Sequence, residues 1–244
     1  MKLGKAFAIG RLRELPADFG LSWLLAIQAF TLFVAIPMAA KYDSDRILLD
    51  FSHLAFTAIC VGMLTDRRAV QAALLGTIAI LIIGPPFAAA LGGDLQSKSS
   101  LRHQTILVFA FAFNVLITGV VARRVFARGA VTVHRVTGAI LLYLNVAALF
   151  GVAFRVLSVL DPHAFQWAAG RQPNSPTEMT AAYNYLSLST ITTTGYGDAY
   201  PVHWLARSLA NLEAVFGQLF PATLLTRLIA LELTQESRGP DTGE

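Results

Sequence analysis

Residues 192–198 read Thr-Thr-Thr-Gly-Tyr-Gly-Asp and lie between two apolar segments, at roughly 136–160 and 203–231. A stretch so placed sits at membrane depth, yet its side chains do not suit lipid. Non-helical backbone is tolerated there only where protein buries it or where it lines a water-filled path. A segment of this kind meets that condition by turning its own carbonyls toward the path. Gly195 and Gly197 reach left-handed backbone angles that residues with a Cβ resist.

The rest of the chain agrees with a membrane setting. Apolar residues make up 55% and charged residues 14%, and the mean hydropathy is +0.57, the signature of an integral membrane protein. A spanning helix takes about 20 mostly apolar residues. Six segments qualify, near 21–40, 46–65, 69–92, 104–122, 136–160 and 203–231. The first is too long for a secretory signal, and no small-residue cleavage site follows it, so a retained anchor is expected. The polar tail Thr234–Glu244 is expected to be disordered. Cys60 stands alone in mid-helix, which excludes an intrachain disulfide framework and suits a small buried hydrophobe.

The net charge of +4 does not point to nucleic acid, because the basic residues sort by membrane side. Lys2, Lys5, Arg11 and Arg13 precede the first segment, Arg67 and Arg68 join the second to the third, and Arg123, Arg124, Arg128 and Arg135 join the fourth to the fifth. The other side carries Lys41, Arg46, Lys98, Arg102 and Arg171. The excess places both termini in the cytoplasm and the Tyr196 end of the 192–198 run outside. No metal-ligand set and no Ser/His/Asp grouping is present, which argues against an enzyme. The two halves do not repeat each other as those of inverted-repeat carriers do.

From 136 to 231 the parts come in a fixed order. An apolar helix is followed by a polar loop (Asp161–Asn174), a short helix, the 192–198 run and a second apolar helix. The short helix opens with Ser175-Pro176-Thr177-Glu178, a cap, a proline at the first helical position and a capping-box acid. In this order and motif the chain resembles the tetrameric potassium-channel pore family. The resemblance implies an all-α membrane fold of six helices with a re-entrant pore helix and selectivity filter between helices 5 and 6. It also implies a homotetramer, and potassium ions held at Thr193, Thr194, Gly195, Tyr196 and Gly197 by carbonyls and the Thr193 hydroxyl, which replace the hydration shell. No organic cofactor is implied. Thr192, Asp198, Tyr185, Ser189 and Glu213 are the expected filter supports, and Gly217 with Pro221 the expected gating hinge. Close helix packing is the competing reading of Gly217.

Several positions depart from the family pattern. Thr194 replaces the common Val, Tyr185 and Leu186 replace paired Trp, and Ser189 stands where some members place a buried acid. Leu186 cannot donate the hydrogen bond that the second Trp gives to the acid after the filter. A weakly selective cation pore is the second reading, and a carrier a more distant one.

The chain thus divides into a cytoplasmic segment at 1–20, a four-helix domain at 21–128, a pore domain at 129–232 and a cytoplasmic tail at 233–244, in the inner (plasma) membrane. The expected partners are three further copies of the chain, as a homotetramer, and membrane lipids, with no attached ligand-binding domain expected. The four-helix domain looks like a voltage sensor in number only, since Gln104–Ala122 contains no charged residue and a sensor must move several charges. Asp50 and His53, three apart, share a helix face. Asn114 and Asn145 suit bonds between helices, and the basic Met1–Leu15 stretch suits the membrane surface. Arg155 and Glu213 are charges in apolar helices at depths about 9 Å apart by helical rise, near enough to pair. The alternatives are snorkelling of Arg155 to the outer headgroups and a bond from Glu213 to pore-helix hydroxyls such as Ser187 or Thr190.

Overall fold

The computed structural model describes residues 20–42, 46–64, 68–90, 95–126, 133–168 and 172–236. The N-terminal stretch Met1–Leu15 and the tail after Glu236 lie outside them, as do Lys2, Lys5, Arg11, Arg13, Arg67, Arg128 and Arg171 among the basic residues used to orient the chain.

The molecule is mostly helical. Helix α1 spans Gly20–Tyr42 and contains a π-helical turn at Thr31–Ala35. Pro37 follows two residues later and cannot donate to the carbonyl four residues back, so the wider turn falls where α-helical bonding is already interrupted. Helix α2 is Arg46–Ile59, continued by a second π turn at Cys60–Leu64. Helices α3 (Arg68–Ala90), α4 (Leu95–Val125) and α5 (Val133–Leu160) complete the N-terminal part and lead to the 192–198 run and its flanking elements. A strand β1 (Phe165–Trp167), a short helix α6 (Pro176–Ile191), a strand β2 (Ala199–Pro201) and a long helix α7 (Trp204–Glu236) follow.

Three stretches among the described residues are long and apolar enough to cross a membrane: Gly20–Tyr42, Leu107–Val125 and Val136–Leu160. Leu48–Gly62 and Arg68–Ile80 are shorter apolar helices. The boundaries differ from the sequence reading in two places. Helix α4 begins at Leu95 rather than near 104, and α7 runs to Glu236, so helix occupies the first residues of the expected tail.

One core gathers α1 to α5. Leu24, Cys60, Leu74, Val121 and Leu141 are all fully buried within it, and Cys60 is the small apolar filler there. Its continuation, around Phe154, Phe165, Tyr183 and Leu186, binds the outer end of α5 to the short helix. Phe165 stands edge-on to Phe154 at 5.5 Å and to Tyr183 at 5.2 Å, and Trp167 meets Tyr183 at 5.4 Å. Such edge-to-face pairs add to simple burial.

The sheet was not foreseen. Strands β1 and β2 pair antiparallel, with Gln166 opposite Tyr200. The loop before the short helix is thereby tied to the segment after the 192–198 run. Beside the ribbon, the N–H groups of Val202 and His203 donate to the Ala164 carbonyl at 2.8 and 3.2 Å.

Candidate functional site

Helix α6 is aimed by its cap. The N–H of Glu178 donates to Ser175 Oγ at 3.1 Å, and the Ser175 N–H donates back to the Glu178 carboxylate at 3.3 Å, a complete capping box with Pro176 at the first turn. The helix ends at Ile191, the end to which the aligned peptide dipoles give partial negative charge. The 192–198 run turns back along it. The N–H groups of Thr194 and Gly195 both donate to the Ser189 carbonyl, at 2.9 and 3.2 Å, and the Tyr196 N–H donates to Ser189 Oγ at 3.3 Å.

Within the run, every second residue is left-handed: Thr193 at φ 57°, Gly195 at 57° and Gly197 at 79°. That alternation lets successive carbonyls face one side of an extended run, whereas regular strand angles would turn them to opposite sides in turn. A Cβ on Gly195 or Gly197 would meet nothing within 4 Å, so glycine serves the backbone angle there and not a lack of space. Thr193 takes the same angle with a β-branched side chain, an exception that the motif alone did not announce. All of Thr192–Gly197 is exposed in the single chain.

The flanking side chains are pinned. Thr192 Oγ1 donates to the Leu188 carbonyl at 2.6 Å and lies 2.8 Å from Thr194 Oγ1. The hydroxyl that replaces the common Val is therefore engaged with its neighbour. Tyr185 Oη donates to the Asp198 carboxylate at 3.1 Å, and the Tyr185 ring stacks on Tyr196 with centroids 5.7 Å apart. The sequence reading held that Leu186 cannot donate the bond to the acid. Tyr185 makes it instead, while Leu186 packs into the core.

Glu213 is fully buried and bonds Ser187, whose Oγ also donates to the Ala147 carbonyl at 2.6 Å. Arg155 donates to Thr180. The expected Arg155–Glu213 pair is corrected accordingly, because the two residues meet helix α6 seven positions apart, about 10 Å along its axis. Gly217 backs onto the end of α6. A Cβ there would strike the Ile191 carbonyl oxygen, which also accepts from Tyr143 Oη at 2.9 Å. Close packing thus requires this glycine, whatever else it does. Helix α7 continues through Pro221, whose missing N–H leaves the Gly217 carbonyl without its helical donor.

Sequence reasoning missed Gln218. Its Nε2 donates to Thr193 Oγ1 at 2.9 Å, and only its place beside Gly217 in the helix register could have drawn attention to it.

A second polar feature lies between the N-terminal helices and α6. Asp50, His53, Asn145, Arg155, Thr180 and Asn184 help line a cavity of about 180 Å³. His53 Nδ1 lies 2.9 Å from the Leu49 carbonyl, which can only accept. Among the described residues, the bonds expected of the two asparagines between helices are not found. Asn114 Nδ2 donates to Ala110 in its own helix at 2.9 Å, and Asn145 Nδ2 has no partner among the described residues.

Residues 139–232 match the model of a protein family described as ion channel. That stretch is similar to an ion-channel pore. The match begins inside α5 and ends inside α7, covering α6 and the Thr192–Asp198 run entire. It points to a membrane channel and away from an enzyme. No curated protein and no solved structure matches the chain.

Proposed function

We propose that the protein is a potassium-selective channel in which four chains surround one conduction path. The observation that carries this reading is the alternating left-handed backbone at Thr193, Gly195 and Gly197, beside the carbonyl end of a capped helix. Four such loops would present rings of carbonyl oxygens to a dehydrated cation, with Thr193, Thr194, Gly195 and Tyr196 as ligands. The exposure of that run in one chain, together with exposed Leu212, Val215 and Leu219 on α7, supports the assembly. These surfaces would face the axis and neighbouring copies. In this reading α2, α3 and α7 also cross the membrane, both termini are cytoplasmic, and Gly217 with Pro221 forms the bending point of the inner helix.

The competing pore reading, weak selectivity among cations, is favoured by the Thr194 hydroxyl beside the filter. Its bond to Thr192 keeps that hydroxyl occupied and argues for selectivity. Purified protein in planar bilayers under bi-ionic potassium and sodium decides the matter. Each tenfold permeability ratio moves the reversal potential by about 59 mV for a monovalent ion. A shift beyond that value toward the potassium potential is the expected result. A reversal near zero replaces the potassium channel with the weakly selective pore, and no current at all removes both.

A further inference from the structure

We propose that Gln218 sets the cation affinity of the ion site at the Thr193 end of the filter by holding the Thr193 hydroxyl, an inference that rests on the channel reading above. The Thr193 oxygen has a short account of partners. Its hydrogen goes to the Thr192 carbonyl at 2.7 Å, and one of its two lone pairs accepts from Gln218 Nε2 at 2.9 Å. One lone pair is left for an ion. The amide N–H also brings partial positive charge against the oxygen that a cation would use, so the bond opposes cation binding at this ring.

The same contact helps fix the backbone. Thr193 holds φ 57°, an outlier for a β-branched residue that persists only where its surroundings over-determine it. Its N–H donates to the Thr190 carbonyl at 2.9 Å and its hydroxyl to Thr192. Both restraints come from the adjoining segment. Gln218 supplies a restraint from α7, one residue after Gly217 meets the Ile191 carbonyl. Two successive residues of α7 thus engage the end of α6 and the start of the filter. Gln218 is exposed in the single chain, so core packing does not account for its amide. It is a positioning residue whose effect passes through Thr193.

Barium tests this directly. It is close to potassium in size, and its double charge binds oxygen rings more tightly. Applied from the Thr193 side, it reads the ring that Gln218 touches. Gln218→Leu and Gln218→Met, which keep bulk and lose the donor, are expected to tighten barium block from that side about tenfold or more. Block from the Tyr196 side should change less. On a Thr193→Ala background the same substitutions should have no further effect, since the oxygen through which Gln218 acts is gone. Block within about twofold of wild type in both variants, or an equal shift on the Thr193→Ala background, overturns the assignment while leaving the channel reading intact. Failure of both variants to assemble also overturns it, by showing a folding role. A wild-type protein without a barium-sensitive potassium current removes the channel reading itself.

Discussion

At the residue scale, Glu213 and Ser187 pose a question of hydrogen count. A serine hydroxyl has one hydrogen, yet Ser187 Oγ lies within bonding reach of two acceptors, the Ala147 carbonyl and a Glu213 oxygen. Both contacts are satisfied when the carboxyl supplies the second hydrogen and Ser187 passes its own to Ala147. A carboxyl in that form also tolerates the other oxygen, Oε2, having no partner among the described residues. Glu213→Gln, whose amide can donate in place of the acid, should therefore keep thermal stability within about 1 kcal/mol. Ser187→Ala strands the carboxyl and should cost about 2–3 kcal/mol. Thermal unfolding of the purified assembly reads both, and a Gln variant as damaged as the Ala variant would show that the position needs a carboxylate. Gly217→Ala is a sharper case, because its Cβ meets a backbone oxygen that cannot rotate away. It should lower stability and current together. Gly195→Ala, by contrast, meets nothing within its own chain and is penalised there by the angle. Selectivity or conduction should be lost there while the assembly survives. Intact selectivity in Gly195→Ala would detach the left-handed backbone from function.

At the scale of elements, helix α6 is the joint on which the rest depends, and its local signals are strong. Ser175→Ala removes the cap and should cost about 1 kcal/mol per chain, visible as a lower unfolding midpoint. Replacing Glu178 by Gln should cost less, since the amide still returns a bond to the Ser175 N–H. Thr180→Val tests the other face of the same helix. It removes the oxygen that receives Arg155 at the wall of the polar cavity, and about 1–3 kcal/mol is the expected loss. If Thr180→Val were neutral, the Arg155 contact would be incidental. This helix was legible in the sequence because cap, proline and acid are adjacent residues whose meaning is local. The contacts on its flanks were legible only in part, since a bond from Glu213 to Ser187 was the alternative to its pairing with Arg155. Depth along a helix follows from counting residues, and depth alone suggested that Arg155 and Glu213 meet. The side of the helix each faces depends on packing, and packing turns Arg155 to Thr180 and Glu213 to Ser187. The ribbon of β1 and β2 escaped notice for a similar reason. Each strand is three residues long, too short for an alternating pattern, and each exists only through its partner. Tyr185 illustrates the same gap at the filter. Its hydroxyl reaches Asp198 thirteen residues later, a distance that only the fold closes.

For the whole molecule, the question is what the helices before the pore do, and the charge pattern of α4 carries one expectation. The helix has 31 residues, about 46 Å at 1.5 Å per residue, against a hydrocarbon core of about 30 Å. Its charges sit near the ends: Lys98 and Arg102 toward the start, Arg123 and Arg124 in the last turn. The uncharged run Gln104–Ala122 between them measures about 28 Å by the same rise. The apolar centre of α4 therefore matches the hydrocarbon, with its charges at the two interfaces. One elementary charge carried across the membrane field is worth about 2.3 kcal/mol per 100 mV, and a steep voltage response needs several such charges to cross together. A helix with basic residues only at its ends has none to carry unless it is pulled bodily through the bilayer. Packing resists that displacement, because Phe113, Ile117 and Val121 of α4 are buried with Leu24, Phe56 and Leu141 of three other helices. Open probability should accordingly vary with voltage by less than the equivalent of about one charge. The measurement is a conductance–voltage curve in bilayers free of magnesium, so that block by internal ions does not imitate gating. Neutralising Arg123 and Arg124 together should leave its slope unchanged. A steep curve that flattens in this double variant would make the end of α4 a moving charge and the four-helix domain a voltage sensor after all.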